Sequence, residues 1–442
     1  MRNILIFISV FVSFNSMAQT TWNYTKVDSA SYVQFVNKDY KGLWQTGKTA
    51  LKHNIDFYYL RTRLGISYYE NENYEMALIH FIKAHIMNPA DTLIQEYLYF
   101  SLVFTNRTEA ANELALSFNE SMKNRIGYKS QSIVDIASSF KSMSFTSGVI
   151  FKIPVPVTKE QEELIYSEKT TQDNALLFNL YLENRANNRL SFFNSFSYFK
   201  VNSEGIVDAQ SSPKQTKNYS NKNYQYTLGG TYVNTKNICI GASIGYFKEN
   251  AQFITSDFTD PTTPFSILTL NSNNTAFTGM ASVFKRQKNF GFGISAGLGN
   301  LGNVTQIQTE GNFHWYPKGN TKFYISTSLA WLNNDGNNQS VFTQKIGGKM
   351  QKKLWYEVKA SYGNHQNYIT NGGIVAYNTI EPVKFTVETS MSIFIKKFKI
   401  SPSYTMQQRE SSYFKIINPT TSQTIKTNYL NHLIKCTLQF NF

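Results

Sequence analysis

The chain has 442 residues, with 34 Phe and 28 Tyr but only 16% charged residues, and a formal net charge of +14. A mean hydropathy of −0.34 excludes a helical membrane protein, since a spanning helix needs about 20 consecutive apolar residues and the mature chain has no such run. Low charge density with many aromatics excludes a disordered chain, and the length leaves room for two or more domains.

The first residues, "MRNILIFISVFVSFNSMAQ", place Arg2 before an apolar run at 4–14 and end on Ser16-Met17-Ala18. A charged start, a short apolar stretch and a small-x-small site predict a secretory signal peptide over 1–18. No Cys adjoins the cut, so no lipid-modified N-terminus is expected. Only Cys239 and Cys436 occur in the chain. Period two puts them on opposite faces of one wall, which no disulfide spans, so both are expected to be free, packed thiols.

From about 29 to 141 the pattern is helical. In "FYYLRTRLGISYYENENYEMALIHFIKAHIMNPAD", Leu64, Gly65 and Tyr68 share one helix, Tyr74, Ala77, Phe81 and Ala84 a second, and Pro89 closes it. Gly65, Ala77 and Ala84 allow close approach; Tyr68 and Phe81 fill the gaps. This spacing resembles the tetratricopeptide repeat over 58–91, with Arg61 where that family usually has Trp. One repeat cannot bury its own face, so degenerate neighbours are expected; Leu98 and Ala111 keep register in the next stretch.

After 142 the period becomes two. Fourteen candidate strands run from 145–157 to 427–442, among them 174–185, 189–201, 222–234, 237–249, 274–286 and 398–410. Phe290, Phe292, Ile294 and Leu298 oppose Gly291, Gly293, Ser295 and Gly297. Long strands with one apolar face and one small or polar face predict a transmembrane antiparallel β-barrel of about fourteen strands, twelve being the other count considered. The predicted fold class is therefore α + β and multidomain: signal peptide 1–18, TPR-like helical domain 19–141, and outer-membrane barrel 142–442.

Short turns such as "RANNR", "KRQK", "KMQKK" and "KKFK" alternate with longer connections at 202–221, 250–273, 367–382 and 411–426; two short connectors, near 300–303 and 334–338, break the rule. The turns are basic, with Arg189, Lys285, Lys353 and Lys397 among them, while the other side holds most acids, including Glu160, Asp257, Asp335 and Glu381. Basic turns facing anionic headgroups account for the net charge, so outer-membrane lipid rather than nucleic acid is the expected partner.

The chain closes on "NYLNHLIKCTLQFNF". Ile434, Leu438, Phe440 and Phe442 share one face. This terminal pattern resembles the C-terminal assembly signal of outer-membrane proteins and implies a contact with the barrel assembly machinery. The order of parts is similar to the small YaiO-like group, and "AQ" after the cut resembles exports of Bacteroidota. The resemblance implies a periplasmic helical domain on an outer-membrane anchor.

Function is expected first as a scaffold whose repeats bind an unknown periplasmic protein. A pore or transporter for small solutes is the alternative. A lipid-modifying enzyme is the least favoured reading: His314 and Glu310 alternate inward on one strand, but no G-x-S-x-G and no His/Cys/Asp cluster occurs. No catalytic residue, cofactor site or metal site is expected.

Overall fold

The computed structural model describes residues 22–105, 107–128, 140–153, 166–187, 189–209, 212–234, 238–257, 266–378, 381–418 and 421–441. The expected signal peptide 1–18, Glu160 and the terminal Phe442 lie outside them. The chain divides into two compact units, Met1–Thr105 and Asn106–Phe442.

The first unit holds α1 (Tyr24–Val36), α2 (Tyr40–Lys52), α3 (Tyr58–Glu70), α4 (Tyr74–Met87) and α5 (Thr92–Phe104). Four of the five start on an Asn or Asp whose side chain accepts a first-turn N–H: Asn23, Asp39, Asn73 and Asp91. Each such cap supplies an acceptor that the helix lacks and contributes about 1 kcal/mol. Gly65, Ala77, Phe81 and Ala84 are buried, with Gly65 against Phe81, whereas Leu64 packs with Val27, Leu43, Ala50 and Leu60. A Cβ on Gly65 would stand 2.5 Å from a Phe81 ring carbon, so glycine lets the two helices meet there. Tyr68 is stacked between Trp44 and His80, with centroids at 4.7 and 5.5 Å. Tyr74 packs on Phe104 at 4.7 Å. Pro89 is exposed just past the end of α4.

Arg61 is buried beside this stack. Its Nε and Nη2 each donate to Asp56 at 2.6 Å, and Nη1 lies 3.1 Å from His80 Nδ1. Burial first, and the Arg61 charge second, push the His80 imidazole down to about 4. The residue that departs from the repeat pattern is thus a neutralised buried cation.

In the second unit, α6 (Thr108–Leu116) and α7 (Glu120–Ile126) precede the strands. The strands are β1 (Phe140–Ile153), β2 (Tyr166–Arg185), β3 (Leu190–Ala209), β4 (Ser212–Val233), β5 (Ile238–Ser256), β6 (Ile267–Gln287), β7 (Phe290–Gly299), β8 (Gln306–Trp315), β9 (Phe323–Asn334), β10 (Asn337–Gln351) and β11 (Leu354–Gly363). A small pair follows, β12 (Ile369–Thr370) and β13 (Val375–Ala376), then β14 (Val383–Ile395), β15 (Phe398–Asn418) and β16 (Thr421–Asn441). Fourteen of them form one closed antiparallel barrel, sealed where β1 meets β16 with Phe145 opposite Leu438 and Val149 opposite Ile434. Closure leaves no open edge, so every ladder group in the wall can be paired without water.

The wall presents its large apolar residues outward: Ile244 is 66% exposed, Leu298 65% and Ile294 62%. An apolar band on the outside of a closed barrel is stable in lipid and not in water, and identifies an outer-membrane-type barrel. Among the described residues no helix is long and apolar enough to cross a membrane. Ile434 and Leu438 belong to this outer band, and Phe440 packs on Phe398 at 5.0 Å.

Two expectations are corrected. Residues 202–221, 250–273 and 411–426 are not loops for most of their length; β3–β4, β5–β6 and β15–β16 continue through them as long hairpins. These stretches mix polar runs with apolar residues, so the hydrophobic alternation fades while the hydrogen-bond ladder goes on, and Tyr166, Val207, Ala209, Ile254, Ile267 and Ile416 pack together there. Cys436 is not packed but exposed on the outer face, whereas Cys239 is half-buried; neither forms a disulfide. At 334–338 the chain turns in two residues, Asp335 and Gly336, with φ of 44° and 85°. That conformation matches the strand twist and shortens the connector.

Candidate functional site

The inner face of the barrel is built from small residues, among them Gly241, Ser243, Gly293, Ser295, Ser326 and Ser328. They leave a lumen. Into it folds the chain at 364–378, between β11 and β14. Here the small pair β12–β13 is joined over Asn371–Gly373. Gly372 and Gly373 take φ of 62° and 92°, and a Cβ on Gly373 would stand 2.8 Å from Ser243 Oγ. Glycine is needed there both for the backbone angle and for the approach to the wall.

The wall pins this inner loop through its backbone. Gln308 Nε2 donates to Ile369 O at 2.6 Å, and the Ile369 N–H donates to Gln308 Oε1 at 3.0 Å. Ser243 Oγ donates to Gly372 O at 2.6 Å, and Gln225 Nε2 to Gly373 O and Ile374 O at 2.9 and 2.8 Å. Tyr368 donates its hydroxyl to Glu310 at 2.9 Å. Ile369 is buried with Phe247, Ala276, Met280 and Leu301, and Tyr368 with Ala330, Leu332 and Val341. Buried His365 lies at the loop's start. Its Nδ1 is 2.9 Å from both Gly363 O and Val383 O, so Nδ1 carries the proton and Nε2 accepts from Ser361 Oγ at 2.6 Å. Backbone groups held by this many wall side chains make the loop part of the lumen rather than an external excursion.

The loop divides the interior. One chamber of about 390 Å³ lies toward β4–β11 and is lined by Ser243, Glu310, His314, Lys345, Lys359 and Tyr368. A second, also about 390 Å³, lies toward β1–β4 and β14–β16, with Asn179, Gln225, Tyr377, Glu388, Gln407 and Lys435. An outer cavity of about 340 Å³ is lined by Gln172, Phe199, Phe253, Glu381, Arg409 and Lys426. Charges line these spaces in pairs. Glu388 sits between Lys435 at 2.5 Å and Lys359 at 3.8 Å, and Glu357 lies 3.3 Å from Lys345 and accepts from Tyr324. Pairing lets charge line a partly dry lumen without the full desolvation cost.

His314 and Glu310 do face the lumen, as period two requires, but each is engaged elsewhere. His314 lies edge-on to Phe284 at 5.2 Å, and Glu310 accepts from Tyr368. Ser361–His365 is a Ser–His hydrogen bond, yet its distal nitrogen faces two carbonyls and no carboxylate, so the pair holds the loop. Among the described residues no group of three or more His, Cys, Asp or Glu is placed to hold a metal.

Sequence reasoning missed the inner loop, having placed 367–382 outside. A signal was present: Tyr368, Ile369, Ile374 and Val375 flank Asn371-Gly372-Gly373. A solvated loop has no use for that apolar content.

No family model matches the chain, and no curated relative matches it. Solved structures do show likeness. The Pseudomonas putida toluene transporter TodX is 8% identical over 74% of this chain and 94% of its own, with a TM-score of 0.45. A Pseudomonas aeruginosa FadL homologue is 10% identical over 68% and 90%, with a TM-score of 0.44. The Ralstonia pickettii toluene transporter TbuX is 9% identical over 69% and 90%, with a TM-score of 0.42. The scaffold expectation is corrected at this point. The barrel encloses a divided, polar-lined lumen that an anchor does not require.

Proposed function

We propose that the barrel is an outer-membrane channel that passes small solutes through a lumen narrowed by its inner loop. The observation that carries this reading is the loop at 364–378, held by Gln225, Ser243 and Gln308 and flanked by two chambers of about 390 Å³. A barrel that served only as an anchor could be packed solid. Hydroxyls, amides and paired charges line the path, and they replace water's hydrogen bonds for a polar solute in transit.

The short basic turns face the periplasm in this proposal, and the long β3–β4, β5–β6 and β15–β16 hairpins face outward, in keeping with the turn-and-loop asymmetry of such barrels. Arg189 in the first basic turn is ion-paired with Glu113 of α6, its Nε donating at 3.0 Å. The helical unit, with its Gly65–Phe81 contact, is a degenerate tetratricopeptide-type array on the periplasmic side. The bounds 19–141 and 142–442 and the assembly role of the last strand belong to the same proposal.

The test is conductance in a planar bilayer. The full-length protein is expected to open discrete, small channels, and deleting 368–376 to raise unit conductance several-fold. Absence of conductance in both forms, with both folded by heat-modifiable gel migration, would overturn the channel.

A further inference from the structure

Arg409 lies on the inner face of β15 and is only 7% exposed. It borders both the outer cavity and the second chamber. Its Nη2 donates to Gln407 Oε1 at 3.2 Å, while its Nε has no hydrogen-bond partner. Among the described residues no carboxylate is ion-paired with it. Glu381, on the same cavity, accepts from Tyr429, and Glu410 is paired with Lys426 at 3.3 Å. Two further polar groups share this condition. Gln172 Nε2 and Thr405 Oγ1 are buried without a partner, although Gln172 Oε1 is used, accepting from Asn431 at 3.3 Å. Arg409 and Gln172 line the outer cavity together, while Thr405 lines the second chamber with Arg409, and buried donors there are satisfied only by water or a bound ligand.

We propose that Arg409 and Gln172 form a carboxylate-binding station on the outer cavity, at its border with the second chamber. A guanidinium edge and an amide N–H suit the two oxygens of a carboxylate. The rest of the outer cavity indicates what the carboxylate is attached to: Phe199, Val201 and Phe253 also line its 340 Å³. That combination fits a small organic monocarboxylate with an apolar body, and not inorganic phosphate, which would bring no apolar surface to those side chains. The station deepens the channel reading, on which its role in transit rests, while binding itself does not require conduction.

The test titrates sodium benzoate and its neutral isostere, benzyl alcohol, into the full-length protein in detergent, with empty micelles as the blank. Benzoate is expected to bind at least about ten-fold more tightly, the loss that accompanies one charge-assisted hydrogen bond. Arg409→Gln is expected to abolish that preference, Arg409→Lys to restore part of it, and Gln172→Ala to weaken benzoate severalfold. Equal affinity of the two ligands for the wild-type protein, which needs no variant to fold, would overturn the station; so would an undiminished preference in folded Arg409→Gln. A barrel that conducts but does not prefer benzoate sinks the station alone. One that prefers benzoate but does not conduct sinks the channel alone.

Discussion

Ile86 of helix α4 and Ile294 of strand β7 are almost equally exposed, at 67% and 62%. In the helical unit such residues, Val33 and Tyr59 among them, surround an apolar core in which Leu60, Leu64 and Phe81 are enclosed. In the barrel wall it is the rule on the outer face, and the enclosed inner positions include the polar Ser195, Thr227, Gln308 and Asn431 beside the apolar contacts of the inner loop. The two units invert one another since one is solvated by water and the other by lipid. Glycine follows the same division. Gly65 makes room for a neighbour's ring, whereas Gly373 lets a loop lie against the inner wall. Exposure therefore means different things in the two units, and substitutions can probe that difference directly.

The largest expected effect is in the water-solvated core. Phe81→Ala removes a fully buried ring and should cost about 3–5 kcal/mol in the helical unit. The helical melt is expected to fall steeply while the barrel's heat-modifiable migration stays unchanged. Loss of both together would mean that the units do not fold independently.

Next comes the matched pair. Ile294→Arg places a cation in the lipid-facing band and should cost about 2–4 kcal/mol near the bilayer midplane, read as a lower folded fraction in urea titration in vesicles. Ile86→Arg, at almost the same exposure, should stay within about 0.5 kcal/mol. Similar costs at the two sites would break the comparison.

Gly65→Val is smaller again. Its Cβ would stand 2.5 Å from the Phe81 ring, and overpacking should cost about 1–3 kcal/mol. The double variant with Phe81→Leu should recover part of the loss, a coupling that a double-mutant cycle would measure.

The most gradual effect is that of pH. His80 titrates near 4 in the folded helical unit and at its ordinary 6.5 once unfolded. Between those values the unfolded chain binds more protons, so stability is full above 6.5 and falls as pH drops toward 4. The slope is at most about 1.4 kcal/mol per pH unit. Thermal melts of the helical signal at several pH values check this, and His80→Gln should flatten the dependence. A helical unit that gains stability on acidification would contradict the buried neutral imidazole.

How much of this was legible in the sequence differs by region. The outward faces could be read residue by residue, as with Phe290, Phe292 and Ile294 against Gly291, Gly293 and Ser295. The helical period of 58–91 could be read from Leu64, Gly65, Tyr68, Ala77, Phe81 and Ala84, while the Asn and Asp caps became clear only in the structure. The hairpin extension of β3–β4 could not, because the polar run at 212–222 reads alike whether it is paired or looped. Arg61 was visible only as a departure from a repeat pattern; its use became clear once Asp56 and His80 were found beside it.

The sequence by itself determined the wall: a closed run of about fourteen strands, apolar outward, preceded by a helical unit. Each wall residue answers to its own solvent, lipid or lumen, and a period of two records that answer locally. Only the tertiary structure decided what fills the wall. That 364–378 folds inward depends on Gln225, Ser243 and Gln308 being brought from three separate strands to one side of the lumen. That Arg409 is buried with a free donor depends on Gln172, 237 positions away, lining the same cavity. Such meetings across a lumen are set by strand register and closure, which no local pattern encodes.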